Sequence, residues 1–251
     1  KVFDWAERKM AEGQIRHLGF SFHDRYEVFE RILNGYDNWS FCQLQYNYMD
    51  VDEQAGQRGV LEAAEKGLGV IVMEPLRGGK LAVQNPPAQV AEAFRHSQRD
   101  WTMAEWALQW LWDQKEVSLL LSGMSTMEQV EQNLQSASRS GVGSLTDHDR
   151  ETIRRVQQAW SGLAPVPCTG CEYCMPCPNG VQIPRIFKLY NESTMYDRQG
   201  RGQNAYQDEF TEDQRADMCV ECGQCEDLCP QSIQIIQQLK DAHAYLTGET
   251  A

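Results

Sequence analysis

Cys168-Thr169-Gly170-Cys171-Glu172-Tyr173-Cys174-Met175-Pro176-Cys177-Pro178 is answered later in the chain by Cys219-Val220-Glu221-Cys222-Gly223-Gln224-Cys225-Glu226-Asp227-Leu228-Cys229-Pro230. Of the nine cysteines, only Cys42 lies outside these two runs. The second run spaces its thiols C-x2-C-x2-C-x3-C-P, and the first is one residue shorter before its last cysteine. Short spacers let the backbone wrap a small inorganic core with its N–H groups turned inward, and Gly170 and Gly223 relieve crowding where the chain passes closest. Pro178 and Pro230 end the two loops.

The second run is similar to the spacing of bacterial ferredoxins, in which three thiolates hold one 4Fe-4S cluster and the fourth crosses to the other. That rule implies Cys168, Cys171, Cys174 and Cys229 on one cluster, with Cys219, Cys222, Cys225 and Cys177 on the other. The alternatives are two zinc sites, which usually pair two C-x2-C knuckles without a third evenly spaced thiol, and disulfides. Iron and labile-sulfide content separates the three.

With 251 residues the chain holds one large domain and a small one, and 41% hydrophobic residues with seven tryptophans supply a core. A formal net charge of -13 argues against nucleic acid or an anionic membrane as partner. No apolar run is long enough to span a bilayer and no secretory leader is visible. Thiolates intended for iron point to a reducing compartment, the cytoplasm. The chain opens on Lys1 rather than methionine, so a processed or longer natural polypeptide is expected.

Upstream of the cysteines, strand and helix alternate. Phe3 to Met10 reads as helix, Ile15 to Ser21 as a buried strand, Tyr26 to Leu33 as helix and Phe41 to Asn47 as strand. Ala55 to Lys66 is helical, Leu68 to Glu74 a strongly apolar strand, and an excursion through Pro86-Pro87 leads to the helix Met103 to Asp113. Val117 to Ser122 is the last strand and Met127 to Ser138 the helix after it. This alternation predicts a parallel sheet covered by helices. Thr146 with Asp149 opens a further helix in the manner of a capping box, ending near Gly162. The stiff Leu163-Ala164-Pro165-Val166-Pro167 then places the domain boundary, with residues 1–162 before it and 163–251 after. Between the cysteine runs, Ile183 to Tyr190 is helical and Arg198 to Asn204 reads as a polar, glycine-bearing loop. After Pro230 a last helix carries Ile233, Ile236 and Leu239 and frays near Gly248.

Gly13-Gln14-Ile15-Arg16-His17-Leu18-Gly19-Phe20-Ser21 looks like a strand of aldo/keto reductases, and Gln43-Leu44-Gln45-Tyr46-Asn47 is similar to that family's next strand. Glu74-Pro75-Leu76-Arg77-Gly78-Gly79 resembles its x-P-L-x-G-G turn, and Gly123-Met124-Ser125 through Gln129-Val130-Glu131-Gln132-Asn133 its closing segment. With the cysteine runs, the whole resembles aldo/keto reductase-like proteins bearing a C-terminal ferredoxin-type domain. The resemblance implies an α/β fold, the C-terminal half of a (β/α)8 TIM-type barrel followed by a small, mainly α-helical ferredoxin-like domain. It places the family's catalytic aspartate, tyrosine, lysine and histidine upstream of this chain. The missing half of the barrel is therefore expected from upstream sequence or from another chain.

By the same resemblance, the candidate cofactor contacts are Ser21, Gln43, Leu76, Arg77, Gly78, Gly123, Gln129 and Asn133, with NAD(P)H as the implied cofactor. Several positions depart from the family. Phe22 stands where an asparagine would hold the carboxamide, and Met73 where a tyrosine would stack. Gly123 and Gln129 replace the lysine and arginine that would grip a 2'-phosphate. Ser21 and Gln43 also suit plain strand-end hydrogen bonding, and the glycines after Arg77 also suit a simple turn. His17 and His148 read as structural or solvated, His23 as a candidate at the barrel rim, and Cys42 as a buried apolar residue facing the helices.

Nicotinamide moves a hydride, whereas each cluster takes a single electron. A flavin between them stays open, although no flavin motif is visible. The leading expectation is an iron-sulfur oxidoreductase that relays electrons between an electron-transfer protein and a site at the barrel rim, with a small-molecule substrate. The rivals are a carrier or complex subunit on a degenerate barrel, and a carbonyl reductase with clusters as staples.

Overall fold

A computed structural model of the chain describes residues 2–249, so Lys1 lies outside the described residues. The chain divides into two compact units, Lys1–Gln157 and Gln158–Ala251. The first begins with α1 (Val2–Ala11), β1 (Gly19–Ser21), α2 (Tyr26–Asn34), β2 (Phe41–Gln45), α3 (Gly56–Glu65) and β3 (Gly69–Met73). It continues through α4 (Ala88–Arg95), α5 (Met103–Trp112), β4 (Val117–Leu120), α6 (Met127–Ser138) and α7 (Asp147–Ser161), whose end runs into the second unit. The strands form a four-stranded sheet in the order β1-β2-β3-β4. Every pairing is parallel, with Ser21 opposite Gln43 and Gln45 opposite Met73.

Alternation along the strands decides which side chains meet the helices. Cys42 and Leu44 on β2, with Val70 and Val72 on β3, are wholly buried against Phe29 and Leu33 of α2 and Val60 and Ala63 of α3. Each such aliphatic side chain contributes about 2 kcal/mol by leaving water. Burial pushes the Cys42 thiol up to about 12, so it stays protonated and behaves as an apolar residue. The opposite face of the same strands carries Gln43, Gln45 and Met73, each only half-buried. The loops after β2, β3 and β4 all leave the same edge of the sheet, because parallel strands end together.

The excursion after Pro86 contains a helix the sequence reading left out: Pro87 sits at the N-cap of α4, its fixed φ opening the helix. Thr146 and Asp149 close the start of α7 as expected. The Thr146 amide donates to Asp149 Oδ2 at 2.9 Å and the Asp149 amide to Thr146 Oγ1 at 3.2 Å. Burial alone would raise the Asp149 carboxyl, but Arg99 Nη2 at 2.9 Å and the bonds that the Thr146 amide and hydroxyl donate to Asp149 Oδ2, at 2.9 and 2.8 Å, outweigh it and hold the group below the usual carboxylate range.

In the second unit, α8 (Ile183–Met195), α9 (Gln199–Glu209) and α11 (Ile235–Thr247) pack around Val166, Ile186, Phe187, Tyr206, Leu239 and Leu246. Two 3-10 turns, Glu212–Gln214 and Ala216–Met218, and the single turn α10 (Gln224–Asp227) follow one another along the chain between α9 and α11. The α11 helix ends on Gly248 in the left-handed conformation.

The glycine-bearing loop expected over 198–204 is instead the first half of α9. Gly202 is there for close approach: a Cβ would lie 2.1 Å from Ser193 Oγ on α8 and 3.3 Å from Leu246 Cδ2 on α11. Gly202→Ala is therefore expected to lower stability by about 1–3 kcal/mol in denaturant unfolding, although alanine is the better helix former. A neutral or stabilising result would mean the helices do not meet there.

Asp149→Asn should cost about 2 kcal/mol at neutral pH. Because the folded carboxyl titrates below its unfolded value, its contribution is present above that unfolded value and lost as pH falls through the folded one. Thermal melts should show wild type and variant converging in acid; parallel curves down to pH of about 2 would refute the pairing.

Candidate metal centre and adjoining cleft

The two cysteine runs repeat one backbone shape. In the first, Gly170 (φ 69°) and Glu172 (φ 62°) are left-handed; in the second the equivalent positions are Glu221 (φ 57°) and Gly223 (φ 78°). Each run thus uses one glycine where the conformation is free and one glutamate at a cost of about 1 kcal/mol. The shape turns amides toward sulfur, as where the Gly170 N–H donates to Cys168 Sγ at 3.5 Å.

The thiols edge two hollows. Cys168, Cys171, Cys174 and Cys229 line one, walled by Phe187, Ile233 and Ile235. Cys177, Cys219, Cys222 and Cys225 line the other with Val181, Ile236 and Leu239, and Cys174 and Ile183 border both. All nine cysteines are free thiols. Burial pushes the Cys168 and Cys174 thiols up and takes Cys225 to about 11. Such groups become thiolates only against a compensating positive charge, which iron in a cluster supplies. Among the described residues no three His, Cys, Asp or Glu side chains converge as they would on a single metal ion. Paired hollows with thiols at their edges and aliphatic walls fit iron-sulfur clusters.

In the first unit a cleft of about 870 Å³ opens at the C-terminal edge of the sheet. Leu76, Gly78, Gly123, Gln129 and Asn133 are brought together along its wall. Ser21 and Gln43 are not among its lining residues; the Gln43 amide donates to Ser21 Oγ at 3.4 Å and to Met73 Sδ at 3.7 Å. Arg77 also lies off that wall, its Nε donating to buried Asp50 Oδ2 at 2.9 Å. Asn47 and Gln45 donate to the same oxygen at 3.0 and 3.2 Å. The Gln129 side chain caps α6, accepting from the Ser125 and Thr126 amides at 2.7 and 3.3 Å. Phe22 is packed edge-on to Phe29 inside the core.

Sequence reading missed the aromatic wall of the cleft, Phe94 of α4 and Trp101 before α5. It also missed Asp50 as the partner of Arg77. The one available signal was the Pro86-Pro87 pair that opens α4.

Residues 1–156 match the aldo/keto reductase family, and residues 167–234 match the 4Fe-4S dicluster domain. The chain belongs to the aldo/keto reductase family and joins its reductase segment to a dicluster domain. Two similar solved structures are the holo and apo forms of aldo-keto reductase AKR11C1 from Bacillus halodurans, at 23% and 24% identity and TM-scores of 0.49 and 0.48. Each match covers 60% of this chain, and the chain spans about half the length of those structures, 53% and 54%. No curated protein matches the chain. Among the described residues no helix is long and apolar enough to cross a membrane.

A β-branched residue cannot hold the left-handed conformation at Gly223 without a cost of about 1–2 kcal/mol. Gly223→Val is expected to retain less iron after anaerobic reconstitution, while Gly200→Ala, at an open helical position, keeps the wild-type amount. Equal iron in both proteins would show that the backbone shape does not matter.

Proposed function

We propose that the chain is an iron-sulfur oxidoreductase of the aldo/keto reductase type that passes electrons one at a time between a protein electron carrier and a site at the barrel rim. The observation that carries this reading is the crossed grouping of thiols at the two hollows. In it, Cys168, Cys171, Cys174 and Cys229 hold one 4Fe-4S cluster, and Cys177, Cys219, Cys222 and Cys225 the other. When bound, each cluster accepts one electron as its donor loses one. The chain's own residues hold the thiolates in place, turn amide N–H groups toward sulfur and keep water out with Ile183, Phe187, Ile235 and Leu239. Cys171 and Cys222, the second cysteine of each run, are exposed, giving each cluster one edge open to a partner. Thiolates held for iron suit the reducing cytoplasm.

A second reading, an electron carrier built on a barrel scaffold, is favoured by Phe22, which fills core space where the resemblance implies a cofactor-binding asparagine. Turnover of small aldehydes with reduced clusters supports the first reading; cluster reduction with no turnover supports the second.

Anaerobically prepared protein should contain about eight iron and eight labile sulfide per chain and give a paramagnetic signal after dithionite. Cys177→Ser should perturb the signal of the cluster held by the second run and spare the other. Zinc without sulfide would end the proposal, and perturbation of the first-run cluster by Cys177→Ser would refute the crossed assignment.

A further inference from the structure

The cleft in the first unit has the size of a nucleotide site but not its charge. Its described lining residues include no lysine or arginine, while Glu74 and Glu128 add carboxylates. A helix N-terminus can hold phosphate through free N–H groups. At α6 part of that opportunity is already taken: besides the Ser125 and Thr126 amides bound to Gln129 Oε1, the Gln129 amide donates to Thr126 Oγ1 at 3.3 Å, completing a capping box, and Glu128 adds a carboxylate to the same end. The cation of the neighbouring turn, Arg77, has its Nε bound to Asp50. At the other end, Ser21 and Gln43 are turned on each other outside the cleft wall. The walls that remain are aromatic, aliphatic and amide: Phe94, Trp101, Leu121, Gln132 and Asn133.

A nicotinamide dinucleotide carries a pyrophosphate, and NADPH one phosphate more. Placing these anions beside carboxylates, with no cation in the wall, is repulsive. The residues present do not fit the family's cofactor. We propose that this cleft discriminates against phosphorylated dinucleotides and admits uncharged molecules, so that reducing equivalents enter this protein through the clusters. The electron route rests on the function proposed above; the selectivity of the cleft does not.

The test is calorimetric titration of the full, cluster-loaded chain with NADH and with NADPH. Neither should show saturable binding tighter than roughly millimolar. Gly123→Lys then restores one cation. A Cβ at Gly123 meets no atom within 4 Å, so the side chain fits without distortion. This variant should bind NADPH about tenfold more tightly than wild type at low salt, and the gain should shrink as ionic strength rises. Micromolar binding of either dinucleotide by the unaltered chain overturns the proposal, as does a Gly123→Lys protein with no gain. Iron, sulfide and the paramagnetic signal are read separately, so either failure leaves the cluster assignment standing.

Discussion

A thiolate is hard to bury. Cys168, Cys174 and Cys225 sit where burial favours the neutral thiol, and only a positive centre close to the sulfurs reverses that preference. The second unit is arranged around this constraint. Its helices supply an aliphatic lining, its loops adopt left-handed turns that aim N–H groups at sulfur, and its cysteines stand at the edges of two hollows rather than in the core.

The first unit obeys a different rule, the two-residue alternation of a parallel strand. One face of β2 and β3 is sealed under α2 and α3, which leaves Gln43, Gln45 and Met73 on the other. At the edge where the strands end, buried Asp50 gathers Asn47, Gln45 and Arg77 on one oxygen. That network fixes the loop after β2 against the turn after β3.

Most of the fold was legible because it rests on local patterns. Short apolar runs located the strands, although β1 keeps only Gly19–Ser21 of the expected Ile15–Ser21 and is half-exposed rather than buried, and the Thr146–Asp149 pair marked the start of α7. Strand ends were read too long: Tyr46 and Asn47 leave β2, and the Asn47 side chain instead accepts from the amides of Met49 and Asp50. Gly200 and Gly202 concealed α9, since glycine in a sequence does not say whether it serves a turn or a helix contact. The thiols were legible from spacing alone. The pairing of Arg77 with Asp50 was not, because it joins residues from separate βα units and depends on how their loops meet.

The crossed sharing of cysteines proposed above has a mechanical side. Were each inorganic core to draw sulfur from both runs, the α8–α9 segment between them would be buckled shut twice. In that arrangement, loss of either core would still leave the other fastening the same two ends of the chain.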